Sequence, residues 1–227
     1  MHQVEISGDI VERLKARRGR YHLYDTIYPD KTALIVVDMQ NAFCKPGAPA
    51  EVPASRNIIG NINNLADTLR SRGGSIIWVV SAFNCKNGRS DWENFFNYIV
   101  AAEVRSQTMD YMAPGAEGVA LWAELDARTE DIYVEKNRYG CFVPGASQLE
   151  RILRSHGIDC LLIAGTKTNI CCETTARAAF DMDFKVILVS DCCAALSDRE
   201  HLATMENMIQ QFGDVMTAQE VTDRLPQ

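Results

Sequence analysis

Long apolar runs are absent from this chain. No stretch approaches the ~18 consecutive apolar residues of a membrane-spanning helix. A basic excess is also missing. The net charge of −7 suits neither a phosphate backbone nor an anionic membrane, so neither is an expected partner. The early basic cluster (Arg13, Lys15, Arg17, Arg18, Arg20) reads as a solvated helix face. The first residues carry acids at Glu5, Asp9 and Glu12 and do not resemble a signal peptide, which makes a cytoplasmic location the expectation. None of the eight cysteines is spaced Cys-x-x-Cys, and neighbours such as Cys171-Cys172 and Cys192-Cys193 point in different directions. Reduced thiols are therefore expected, with no metal site and no cofactor. Histidine is scarce, and none of His2, His22, His156 and His201 is close in sequence to the residues singled out below. A Cys–His dyad has little support.

What is present is apolar and patterned. With 47% hydrophobic residues, 227 residues can bury one good core. Apolar runs rich in β-branched residues recur at Ala33–Val37, Ser75–Val80, Ile132–Val134, Leu161–Ala164 and Lys185–Val189, with a sixth short strand at Asp214–Thr217. Continuous rather than alternating apolarity marks strands covered on both faces. Between them, Asn57–Arg72, Ser147–His156 and Ser197–Phe212 carry helical spacing, the last opening on a Ser197/Glu200 capping box. Alternating strands and helices predict an α/β fold: a doubly wound, mostly parallel six-stranded sheet with helices on both faces, a Rossmann-type three-layer sandwich. Residues 1–30 read as an added helix and arm, and 31–227 as a single domain. Residues 84–118 break the rhythm with Trp92, Phe95, Phe96, Tyr98 and Tyr111, as a lid or a subunit contact would.

In such a sheet, ligands sit beyond the carboxyl ends of the strands. The first strand runs into Asp38, the third into Lys136, and the fourth through Gly165 to Cys171. Thr168 or Asn169 can cap the helix that follows, so Cys171 falls in its first turn, where backbone N–H groups favour thiolate. Taken singly, each residue has a plainer reading: a buried small thiol, a helix cap, a surface lysine. Taken together they suit nucleophilic acyl transfer. Asp38 would take the thiol proton and return it to a leaving amine, Lys136 would hold the other two together, and N–H groups around Lys167 and Cys171 would meet an oxyanion. Cys172 is expected to face the core, and Cys192 and Cys193 to pack.

The segments Thr32–Phe43, Glu135–Tyr139 and Gly165–Cys171 resemble, in order and interval, the three signature segments of the isochorismatase-like cysteine hydrolases. The resemblance spans about Thr32 to Thr217. It implies an Asp38–Lys136–Cys171 triad and a non-proline cis peptide at Thr166-Lys167 that aims the oxyanion donors. It also implies a homo-oligomer, dimer or tetramer, acting on a small molecule. Nicotinamidases of this group carry an Asp-x-His metal motif after the second strand, where this chain has Ser81-Ala82-Phe83-Asn84-Cys85. Isochorismatases proper lack the cysteine. The Thr168-Asn169-Ile170-Cys171 wording is more similar to ureidoacrylate, carbamoyl-amino-acid and biuret-type amidohydrolases, which implies cleavage of a C–N bond without metal.

Asn41, Tyr139 and Phe142 flank the triad and, with Trp92 and Phe95 from the insert, are candidate pocket residues. Lys167 stands where relatives carry a small residue; its side chain either faces away or meets an acidic substrate. Two other functions stay open: vinyl-ether or ester hydrolysis with Asp38 as the acid, and a non-catalytic member that only binds. A redox role for the paired cysteines is the weakest.

Overall fold

Six apolar segments pair side by side in the computed structural model of the protein, which describes residues 2–226. The strands are β1 (Thr32–Val37), β2 (Ser75–Ser81), β3 (Cys85–Lys86), β4 (Arg89–Ser90), β5 (Ile132–Lys136), β6 (Cys160–Thr166), β7 (Lys185–Ala194) and β8 (Asp214–Met216). β3 and β4 form a small antiparallel hairpin of their own. The other six make one sheet in the order β5-β2-β1-β6-β7-β8, every neighbouring pair parallel. The chain order reverses direction at β1, which puts the crevice of the sheet between the ends of β1 and β6.

The helices are α1 (Gly8–Arg18), α2 (Asn41–Cys44), α3 (Ile59–Ser71), α4 (Ala102–Tyr111), α5 (Leu149–Ser155), α6 (Glu173–Asp181), α7 (Asp198–Asn207) and α8 (Ala218–Asp223). All six residues of β1 are buried, and their side chains alternate between two cores. Leu34 and Val36 pack with Ile62, Leu65 and Leu69 of α3 and Val221 of α8. Ala33, Ile35 and Val37 pack with Leu14 of α1, Leu149 of α5, Ala176 of α6 and Met205 of α7. Burial on both faces explains the unbroken apolar runs. Among the described residues no helix is long and apolar enough to cross a membrane.

Several boundaries differ from the sequence pattern. β7 runs to Ala194, well past the apolar stretch, because Cys193 and Ala194 pair with Gly165 and Thr166 beyond a bulge in the β6–β7 register. Asp191 interrupts the apolar pattern there; its carboxylate accepts from the Ala218 N–H at 2.8 Å and the Asn61 side chain at 3.2 Å. α3 begins only after a tight turn over Pro53–Ile58. The helix begun at Asp198 loosens into a wider π-turn from Met208 to Phe212. Ser197 caps α7 by accepting from the Glu200 N–H, but the reciprocal capping box lies at Thr217 and Glu220, opening α8.

The N-terminal arm is tied down rather than loose. The Leu23 N–H donates to the buried Asp214 carboxylate at 2.6 Å, and His22 Nδ1 lies 3.0 Å from the other oxygen. Arg18 donates to the carbonyl of Ile209 at 3.0 Å and to that of Tyr21. The early basic cluster is thus partly structural.

Gly165 is the tightest point beneath the crevice. Its φ is +109°, and a Cβ there would lie 2.0 Å from the Val37 carbonyl oxygen of β1. Only the missing side chain lets β6 approach β1 at the level where Asp38 and Lys167 leave the two strands. Gly165→Ala should destabilise the fold by about 3 kcal/mol or more, read as a lowered urea midpoint. An unchanged midpoint would contradict this packing.

Candidate active site

Three strand ends deliver the polar residues that the sequence singles out. Asp38 follows β1 with a φ of 55°, a left-handed conformation uncommon outside glycine but best tolerated by Asn and Asp. Its N–H donates to the Val79 carbonyl at 2.7 Å, which turns the side chain inward. Lys136 ends β5. Its Nζ lies 2.9 Å from Asp38 Oδ2, and neither side chain has any exposure. The plainer readings of a capping aspartate and a surface lysine therefore do not describe these positions.

Ser81, at the end of β2, is the residue that sequence reasoning missed. Its hydroxyl donates to Asp38 Oδ1 at 3.0 Å and lies 2.7 Å from Lys136 Nζ. With the Arg138 carbonyl at 3.1 Å, all three protons of the ammonium find acceptors. The available signal was its place at a strand end. Gln40 holds this rim in register: its side-chain carbonyl accepts from the Ser81 N–H at 2.6 Å, and its NH₂ donates to the Ser81 and Gly118 carbonyls.

Cys171 completes the cluster from a π-turn over Thr168–Cys172 that leads into α6. The Lys167 carbonyl accepts from the N–H groups of Ile170 and Cys172 at 3.1 and 3.2 Å and pins this turn. The peptide bond between Thr166 and Lys167 is cis. Among the described residues, no acceptor faces the Lys167 N–H. The Thr168 hydroxyl does not cap the helix; it lies 2.9 Å from His201 Nδ1.

The electrostatics at Cys171 pull in opposite directions. Burial pushes the Cys171 thiol well above the ordinary range; Lys136 pulls it back, while the Asp38 charge and a hydrogen bond to Asp38 raise it further. Burial thus works against the thiolate that a position near a helix start favours. For Lys136, burial opposes the charge, but the Asp38 carboxylate beside it outweighs burial and raises its pKa. The ammonium is firmly charged. Cys172 is fully buried and its sulfur faces the Ala164 carbonyl, while Cys193 faces the Ile163 carbonyl at 3.5 Å.

A cavity of about 340 Å³ opens on Cys171. Phe95, Tyr139 and Lys167 are among the residues that line it. Three other candidate pocket residues are elsewhere. Trp92 stands behind the lining, stacked on Phe95 at 4.8 Å and edge-on to Tyr139 at 4.6 Å. Phe142 packs on Phe184 at 5.7 Å, in the opposite core layer. Asn41 donates to the Glu117 carbonyl at 2.9 Å, fastening α2 to the end of the insert. Residues 84–118 form one wall of the cavity through Phe95, Val104, Thr108 and Met112. That wall is clamped to β5: Arg138 donates to the Asp91 carbonyl at 3.0 Å and covers the Trp92 ring.

No histidine among the described residues hydrogen-bonds the Cys171 thiol. No three His, Cys, Asp or Glu side chains among them are grouped as metal ligands. The group can transfer a proton between sulfur and carboxylate beside a fixed positive charge, with an apolar chamber above.

Residues 32–220 match a family model described as an isochorismatase domain. The ureidoacrylate amidohydrolase RutB of Acinetobacter baylyi is 30% identical over 203 residues, 84% of this chain and 82% of that protein. The isochorismatase family protein YwoC of Bacillus subtilis is 30% identical over 201 residues, 86% of this chain and 94% of that protein. Among solved structures, a cysteine hydrolase from Pseudomonas syringae superposes with a TM-score of 0.75 at 27% identity, covering 90% of this chain and 96% of that one.

His201 supports the Cys171 turn through Thr168, with the His2 ring stacked on it at 4.4 Å between centroids. Burial, then the neighbouring His2, lowers its pKa to about 4. The folded state favours the neutral ring, so this stability is full above about pH 6.5 and falls as the pH drops toward about 4. Between pH 7 and 4.5 the wild type should lose about 2 kcal/mol more stability than His201→Asn, measured by urea unfolding. Equal losses would contradict it.

Proposed function

The chain belongs to the isochorismatase family, and from that premise we propose that it is a metal-independent cysteine amidohydrolase. In this reading it cleaves the C–N bond of a small amide, ureido or carbamoyl compound, releasing ammonia or carbamate that decays to it. The observation that carries the proposal is the buried Asp38–Lys136 pair beside a buried thiol that opens on a cavity. A relative named for ureidoacrylate amidohydrolysis supports a C–N bond over a vinyl ether or ester. A ligand-poor rim, with Ser81 to Cys85 lacking histidine, supports independence from metal.

The resting state dictates the order of events. In this reading the raised thiol keeps its proton at rest, and that proton leaves as sulfur attacks the carbonyl carbon. The neighbouring Asp38 carboxylate takes it. Charge then develops on the carbonyl oxygen, where the N–H groups of Lys167 and Cys171 receive it. Asp38 returns the proton to the departing nitrogen, the C–N bond breaks, and a thioester remains. Water, deprotonated by the same carboxylate, attacks the thioester and restores the thiol. Lys136 supplies a positive charge that does not move through the cycle, and Ser81 fixes the carboxylate so that it can turn to sulfur.

An ammonia-release screen over ureidoacrylate, biuret, N-carbamoyl amino acids, maleamate and nicotinamide identifies the substrate. On any substrate that it turns over, Cys171→Ser should lower kcat by at least about 10³-fold while the protein keeps its fold by circular dichroism. A fully active Cys171→Ser enzyme would overturn the reading. The same reading makes the protein a dimer or tetramer, supported by Tyr98 and Ile99 of the insert, exposed at 82% and 70%. Light scattering should give a multiple of 25.3 kDa, and a 25.3 kDa particle at micromolar concentration would contradict it.

A further inference from the structure

Cys171 sits in a turn that its own backbone bonds do not fix as an α-helix would. The Cys172 N–H reaches back five residues to the Lys167 carbonyl at 3.2 Å, a π-type bond that closes a wider ring. Side chains of α7 grip this turn on both sides of the thiol. Before it, Thr168 Oγ1 lies 2.9 Å from His201 Nδ1. After it, Glu173 Oε2 accepts from the Thr204 hydroxyl at 2.5 Å. His201 and Thr204 are three residues apart in α7 and so share one face of that helix. Thr168, His201 and Thr204 are all buried, so water does not stand in for a lost partner at the Thr168–His201 contact.

The N-terminal arm braces this clamp in turn. The His2 ring stacks on that of His201 at 4.4 Å between centroids, 21° from parallel. Its Nε2 accepts from the Ala195 N–H at 3.0 Å, which leaves the ring proton on Nδ1, 2.6 Å from Asp198 Oδ1. Ala195 directly follows Ala194, the β7 residue paired with Thr166 at the end of β6. His2 thus bridges the end of β7 and the start of α7. Resting on the reading of Cys171 as nucleophile, we infer that His201 is a positioning residue: through Thr168 it fixes the turn that aims the sulfur, and His2 keeps His201 in place. Neither histidine lines the cavity. Their effect therefore falls on the attack of sulfur rather than on ligand binding, since a small misplacement of a nucleophile costs rate directly.

The test follows acetylation of Cys171 by p-nitrophenyl acetate in the full-length protein. Sulfur attacks the ester carbonyl, its proton passes to Asp38, p-nitrophenolate leaves, and an acetyl thioester remains. The nitrophenolate burst gives the maximal acylation rate and the half-saturating ester concentration, and mass spectrometry of the Cys171 peptide gives the site. His201→Ala should lower the maximal rate by about tenfold while half-saturation moves by less than about twofold. His201→Asn, whose side-chain amide reaches the place of Nδ1, should retain most of the rate. His2→Ala should lower it in the same sense by a smaller factor. Cys160, buried at the opposite end of β6, should stay closed to iodoacetamide in every variant, which separates a displaced turn from a loosened fold. An unchanged acylation rate in His201→Ala or His2→Ala, or a loss equalled in His201→Asn or accompanied by labelling of Cys160, would overturn the positioning role while leaving Cys171 the nucleophile. No acetylation of Cys171 in wild type would overturn the nucleophile reading, and this inference with it.

Discussion

The ion pair between Asp38 and Lys136 is the constraint around which the rest is arranged. Both groups are fully buried, and removing one partner of such a pair leaves a stranded charge at a cost of about 3–5 kcal/mol. Three strands must therefore end at the same level: β1 to bring Asp38, β5 to bring Lys136, and β2 between them to bring Ser81. Gln40 locks two of those ends together and to the last residue of the insert. The left-handed backbone at Asp38 belongs to the same requirement, since an extended residue there would carry the carboxylate onward with the strand.

The thiol is placed so that this pair acts on it in two opposed ways. Lys136 favours the sulfur anion, whereas Asp38 and the dry surroundings oppose it, and the opposition prevails at rest. A neutral thiol is guarded from adventitious electrophiles and oxidants, which attack thiolates. In the proposed mechanism it becomes nucleophilic only as its proton moves to the Asp38 carboxylate. The cavity follows from the same plan. Ser81 and Cys171 line it from the strand ends, the insert supplies a wall, and Arg138 couples the two by gripping Asp91 and Trp92 from the residue next but one to Lys136.

Much of this was legible in the amino-acid order because burial on both sheet faces imposes continuous apolar runs that end abruptly. Those endings pointed to Asp38, Lys136 and Cys171. Tertiary pairing hid the rest. β7 extends beyond its apolar run because a bulge near Gly165 recruits Cys193 and Ala194, a long-range contact with no local pattern. Ser81 looked like an ordinary strand end until β5 was laid beside β2. The insert's aromatic residues announced a wall, but which of them faced inward depended on stacking: Phe95 lines the chamber and Trp92 backs it. A helix start favours thiolate most where water or charge offsets burial, and at Cys171 burial is the largest influence, which only the packed structure reveals.

The central claim is that burial and Asp38 jointly raise the pKa of the Cys171 thiol against the pull of Lys136. It is tested most directly by the apparent pKa of Cys171, from the pH dependence of its alkylation by iodoacetamide, in wild type and in Asp38→Asn. The account predicts a wild-type thiol titrating well above the ordinary cysteine range and a lower value once the carboxylate charge is removed and Lys136 acts alone. A wild-type sulfur already ionised near neutral pH, or a pKa that does not fall in Asp38→Asn, would contradict it.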